Sequence, residues 1–117
     1  MVNIYDTANQ LANDLRGTQQ FLALKEAMDA VKADEGSLAL FKELDAAQME
    51  IMEAQQTGME LTEKQQGHFK SLNERVSQNT TLQSMLLAEQ AVYTLLNDVQ
   101  KNIGQPLSEA YEDLRKA

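Results

Sequence analysis

Residues 81–103 read TLQSMLLAEQAVYTLLNDVQKNI. Within them Leu82, Met85, Glu89, Val92, Leu96, Val99 and Ile103 recur in alternating steps of three and four. That is a heptad seam held over about three repeats, the pattern of a long helix packed along one stripe. Leu86, Tyr93 and Leu95 widen the stripe beyond two positions per heptad. Gly104 and Pro106 mark the expected end of this helix, because proline lacks the N–H that a helix interior needs and its ring clashes with the preceding turn. A short tail carrying Leu107, Tyr111 and Leu114 follows.

The same periodicity runs back toward the N-terminus. Gln65, Phe69, Leu72 and Val76 predict a short fourth helix, opened by a Thr62–Gln65 capping box with Leu61 as its staple. Asn79-Thr80-Thr81 closes it, with Thr80 and Gln83 as a second candidate capping box. A longer third helix carries Phe41, Leu44, Gln48, Ile51 and Gln55, with Gly58 as its terminator. Asp34 is the candidate cap that opens it, inside a break over Ala33–Ser37. Phe21, Leu24, Met28 and Val31 form a second stripe, capped by Thr18. Ile4, Ala8, Leu11 and Leu15 form the first, ended by Gly17 in the left-handed conformation that glycine tolerates at a C-terminus. Nothing alternates as a strand does, no fixed-period repeat appears, and no Pro-, Gly- or Ser-rich linker divides the chain. The expected fold is all-α: one domain over residues 1–117, with five or six helices, two of them long.

Composition agrees. The chain has 117 residues, with three Tyr, three Phe and no Trp, one Pro and five Gly. Its core must therefore be built from Leu, Val, Ile, Met and Ala. Net charge is −8, and the ten basic residues are scattered. A protein that grips phosphate needs a positive surface to release counterions, so direct nucleic-acid binding is not expected. Anionic membrane surfaces are disfavoured for the same reason. No apolar run approaches the roughly 18 residues of a membrane span. Met1-Val2-Asn3-Ile4-Tyr5-Asp6 has neither the basic nor the apolar region of a signal peptide, so the expected location is the cytoplasm.

The chemistry-bearing residues are few. Without cysteine there is no thiolate nucleophile, disulfide or cysteine-ligated cluster. His68 is the single histidine. Gln65, Lys64, Ser71 and Leu72 sit one turn away, so no second ligand shares its helix face, and a surface role is expected. Glu50 with Glu53, and Glu109 with Glu112, are Glu-x-x-Glu pairs. Di-iron bundles need Glu-x-x-His from two helices, so these read as solvated faces. The five glycines are isolated and form no phosphate loop. Met28, Met52 and Met85 read as core filling, an adaptable binding face being the alternative. Neither a catalytic residue, a cofactor nor a metal is assigned.

Self-association is expected on grounds of length. A helix from Thr81 to Ile103 is roughly 35 Å long at about 1.5 Å per residue. A compact chain of this size has a radius of gyration of roughly 13 Å, hence a diameter also near 35 Å. The long helix would span the whole molecule, the third helix nearly so, and the short elements are too few to cover both stripes. An uncovered apolar stripe calls for a partner, and a second copy in an intertwined homodimer is the simplest. The expected interface residues are Phe41, Gln48, Ile51, Gln55, Glu89, Val92 and Leu96. Gln48 and Gln55 are polar residues in the third-helix seam that would fix register. Glu89 is either a paired interface carboxylate or an edge residue in solvent.

Taken in order, Ile4-Tyr5-Asp6, Leu15-Arg16, Phe21 with Leu24-Lys25, Ala33-Asp34, Leu40-Phe41, Ala88-Glu89-Gln90 and Pro106-Leu107 resemble the YheA/YmcA/YlbF-type family of small bacterial helical proteins, the YheA branch most closely. The resemblance covers nearly the whole chain. It implies an all-helical fold, self-association and a cytoplasmic home in Gram-positive bacteria. Relatives in the YlbF and YmcA branches act as non-enzymatic regulatory partners in competence, biofilm formation and sporulation, and are connected to endoribonuclease-dependent messenger RNA processing. Those relatives can hold cysteine-bound iron–sulfur clusters, a pattern from which this cysteine-free chain departs. The expectation is a non-enzymatic protein–protein interaction module. The alternatives are an adaptor in RNA processing that works through a nuclease partner, and a small-molecule binder or enzyme with a pocket between helices.

Overall fold

Helix caps set the five elements of the computed structural model, which describes residues 2–117. Helix α1 spans Ile4–Arg16, α2 Gln19–Ala33, α3 Glu35–Thr57, α4 Glu63–Ser77 and α5 Thr80–Lys116. The Thr18 hydroxyl accepts from the Phe21 backbone N–H to open α2. Thr62 and Gln65 form the expected reciprocal capping box of α4, at 2.9 and 3.1 Å. Gly58 ends α3 with a φ of 71°, the left-handed region where a side chain would be strained.

Three local expectations are corrected. Gly17 closes α1 in the right-handed region, at φ −95°, because the Thr18 hydroxyl satisfies the Leu15 carbonyl at 2.8 Å and no left-handed turn is needed. The break between α2 and α3 is the single residue Asp34, which ends one helix and caps the next. The cap of α5 is Asn79 rather than Thr80, its side-chain oxygen accepting from the Leu82 N–H at 2.9 Å.

Two of these caps are joined. Ser37, 1% exposed, is the only buried polar residue among those described. Its hydroxyl donates to the Asp34 carboxylate, and the Asn79 amide donates back to it at 3.0 Å. The starts of α3 and α5, 42 residues apart in sequence, are thereby pinned together. From this point α2 runs antiparallel along α5, and α3 with α4 forms an antiparallel hairpin tied at its rim by Arg75–Glu43, 2.9 Å.

The core lies between these elements. It consists of Leu24, Val31, Leu40, Ala47, Leu72, Val76, Leu82, Met85 and Val92, with Phe41, Leu44, Phe69 and Leu86 packed against it. No core residue comes from α1 or from beyond Val92. Met85 fills the core as expected, whereas Met28 and Met52 are 43% and 57% exposed.

The long helix overruns its expected stop. Gly104 and Pro106 sit inside α5, which continues through Leu107, Tyr111 and Leu114 as 37 residues. The apolar spacing of the former tail continues the stripe of the helix before it, so pattern prevails over the breakers. At about 1.5 Å per residue α5 is about 55 Å long, matching the long axis of the molecule, 54 Å. The radius of gyration is accordingly 19.5 Å, well above the roughly 13 Å of a compact chain.

Leu82 is fully enclosed beside the joined caps. Leu82→Ala is expected to cost about 2–5 kcal/mol and to lower Tm by about 10 °C or more, read by thermal circular dichroism.

Candidate interaction surface

Helix α1 is strongly two-faced and yet has no fully buried residue, Leu15 alone being half-buried. Asn3 caps it, accepting from the Tyr5 and Asp6 N–H groups at 3.1 and 3.3 Å. Its stripe of Ile4, Ala8, Leu11 and Leu15 contains no buried residue. Its packing within the chain is a light contact with α2 near the Gly17–Thr18 turn. From there α1 runs beside the C-terminal half of α5 without touching it closely, and an apolar groove of about 300 Å³ opens between the two. Ala8, Leu11, Ala12 and Leu15 form one wall and Leu95, Leu96 and Val99 the other. The groove continues along α5 past Asp98 and Asn102 to Ile103.

The polar groups at the α1 end of this groove, Thr18 and Asp14, are already occupied. The Thr18 hydroxyl is held by the Leu15 carbonyl, and Asp14 accepts from the Gln10 amide at 2.9 Å. A small-molecule pocket orients its ligand with convergent free polar groups; this groove offers apolar side chains in a row.

Beyond the groove, every residue of α5 from Gln100 onward is exposed, including Ile103, Leu107, Tyr111 and Leu114 at 52–67%. The chain exposes 9520 Å² in all. A compact monomer of this mass exposes roughly 6400 Å².

The seven expected interface residues do not form one patch. Phe41 and Ile51 are half-buried, Phe41 against the protomer's own core and Ile51 in the α3–α4 hairpin beside Phe69 and Leu72. Gln48 and Gln55 are exposed. Glu89 is half-buried, and the single ion pair among the described residues is Arg75–Glu43. Val92 is 7% exposed and belongs to the protomer's core, because α2 lies over it. Leu96, 40% exposed, is the one of the seven that lines the groove. Sequence reasoning recognised the α1 stripe without assigning it to a surface, and missed the α5 end. The signal was the spacing of Ile103, Leu107, Tyr111 and Leu114, hidden by the weight given to Pro106.

Elsewhere, His68 is exposed, its ring tilted against Phe69 with centroids 6.1 Å apart. Among the described residues no three His, Asp or Glu side chains converge as a metal-ligand set, and no helix is long and apolar enough to cross a membrane.

A family model described as control of competence regulator ComK, YlbF/YmcA, matches residues 4–108, most of the chain and both walls of the groove. The chain belongs to this YlbF/YmcA family. It is 97% identical over its full length to a UPF0342 protein of Lactobacillus delbrueckii subsp. bulgaricus, which it covers completely. A UPF0342 protein of Lactobacillus acidophilus is 49% identical over 99% of this chain and 100% of its own. The fold is shared with a solved protein of unknown function (DUF964) from Bacillus stearothermophilus, with a TM-score of 0.82 at 24% identity, covering 92% of this chain and 95% of that one.

Burial separates the interface candidates of this YlbF/YmcA family member by experiment. Val92→Ala is expected to cost about 2 kcal/mol by losing buried methyl groups. Gln48→Ala and Gln55→Ala are expected to stay within about 0.5 kcal/mol of the parent. Urea unfolding of the three variants reads the difference.

Proposed function

We propose that this protein works by binding protein chains rather than by catalysis, and that its first partner is another copy of itself. The observation that carries the reading is the bare apolar face shared by α1 and the C-terminal half of α5. A helix of 13 residues that packs on almost nothing is marginal in water. The end of α5 carries a glycine and a proline inside a helix, penalties of about 1 and 3 kcal/mol against alanine, with no core contact to offset them. Both segments need a covering surface. Burying a third of the excess exposed area on each of two chains removes roughly 2000 Å² in total, the size of a stable obligate interface. The exposed His68 and the solvated glutamate pairs support a non-catalytic reading, and a cytoplasmic location accompanies it.

The family description favours a finer role. A protein placed with competence regulators is read as a regulatory partner, and an adaptor that acts through a nuclease is the form of that reading we carry forward. Affinity purification from its own cells, with ribonuclease added, tests it: a nuclease subunit retained after the treatment supports the adaptor, and recovery of the chain alone removes it.

Self-association is tested by sedimentation equilibrium. The expected mass is twice the 13.1 kDa of the chain, and Leu96→Glu with Leu107→Glu should halve it while leaving helicity in place. A parent that stays monomeric at high concentration overturns the reading. Because each copy carries a charge of −8, association should tighten as salt rises from about 0.05 to about 0.5 M, where screening removes the repulsion between copies.

A further inference from the structure

The groove and the bare end of α5 fit one another in a way that the pattern of α5 makes specific. Counting from Ile103, apolar residues stand four, seven and eleven positions before it, at Val99, Leu96 and Val92. They stand at the same distances after it, at Leu107, Ala110 and Leu114. The stripe is palindromic. Two copies of a palindromic stripe laid antiparallel, with Ile103 facing Ile103, match from Leu96 to Ala110, the part that α2 leaves uncovered, Val92 being buried in the protomer's own core; such self-matching is the condition for a two-fold interface.

We infer that α5 pairs antiparallel with α5 of a second copy about an axis at Ile103, so that residues 103–110 of each chain fill the α1–α5 groove of the other. The inference rests on the self-association proposed above and specifies the segment, its direction and its register.

Several independent features agree with this register. Leu107 falls opposite Val99 and Ala110 opposite Leu96, and Val99 and Leu96 form the α5 wall of the groove. The small side chain of Ala110 meets the larger Leu96. The other wall also fits in length: it runs from Ala8 to Leu15, seven positions or about 10 Å of helix, the same span as Ile103 to Ala110. Gly104, beside the axis, has open space around it, so the backbones can approach there. No two like charges fall directly opposite one another between residues 90 and 116. Arg115 and Lys116 come opposite Ala91 and Gln90, within two positions of Glu89, the half-buried carboxylate that has no ion pair among the described residues. One operation thus covers both bare surfaces of both molecules. An unrelated helix in the groove would leave the end of α5 exposed.

The chain has no cysteine, so single thiols can be placed without background. Ile103→Cys, Val99→Cys, Leu107→Cys and, as a control on the exposed hairpin tip, Met59→Cys are treated with a short bis-maleimide, and the mass of each is measured in parallel. Ile103→Cys alone should give covalent dimer at least about tenfold faster than Met59→Cys, because the pairing raises the effective thiol concentration. A mixture of Val99→Cys and Leu107→Cys should link the two different chains faster than either variant links to itself. Circular dichroism of each variant confirms folding, and positions 103 and 107 are exposed in the protomer. A dimeric mass with no preference for these links overturns the register and leaves self-association standing. A monomeric mass at every concentration overturns both.

Discussion

One helix is longer than the rest of the chain can cover, and most of the molecule follows from that. Helix α5 runs about 55 Å at about 1.5 Å per residue, matching the 54 Å long axis of the protein, while the core ends at Val92. The first third of α5 is a scaffold strut with α2 laid along it and the α3–α4 hairpin closing the other side. The remainder is an apolar stripe without a floor. Small helical proteins ordinarily hide such a stripe by folding a further helix back over it. Here the one helix in position to do so, α1, stands off and leaves a groove.

The scaffold half is held by polar chemistry as well as by burial. The Asp34–Ser37–Asn79 contact joins two helix caps in one part-buried network centred on the buried Ser37. Each member already has a local duty, Asp34 and Asn79 to the backbone of their own helices and Ser37 to the first turn of α3. Their union fixes where α3 and α5 begin relative to one another without a buried charge left unsatisfied, which a small core of nine apolar side chains could not readily offset. This rigid end determines where α5 points when it leaves the core, and therefore where its apolar face is presented.

Much of this was legible in the sequence, and the misses have physical causes. The periodicity points to five or six helices, the cap chemistry places Thr18, Asp34, Gly58 and the Thr62–Gln65 box, and the stripe of α5 is clear as far as Ile103. Pro106 was read as a stop because a lone proline in a helix interior is costly; the in-phase apolar residues beyond it carry the helix through. Asn79 was passed over for Thr80 because both are good caps and only the tertiary bond to Ser37 favours the first. Among the seven interface candidates, Val92 and Leu96 share one stripe, and periodicity cannot say that α2 covers the first and spares the second. Gln48 and Gln55 looked like seam residues because the stripe of α3 is wide, and the α4 helix covers only the Leu44–Ala47–Ile51 side of it.

The proposed dimer also bears on how a further protein partner would be engaged. If the α1–α5 face is occupied by a second copy, the surfaces left for other partners are the outer faces of the dimer. There the α3–α4 hairpin tips carry exposed Met49, Met52 and Met59, side chains that adapt to differently shaped partners. In that geometry the two tips are held at a fixed separation by the paired α5 helices, since each hairpin is anchored to its own α5 through Ser37 and Asn79. A partner that contacts both tips reads that separation, and binding at two linked sites exceeds binding at one by the effective concentration the scaffold imposes. Association of α5 with α5 would then decide the affinity of the assembly for its partner, and the level of the protein in the cell would act through the dimerisation equilibrium.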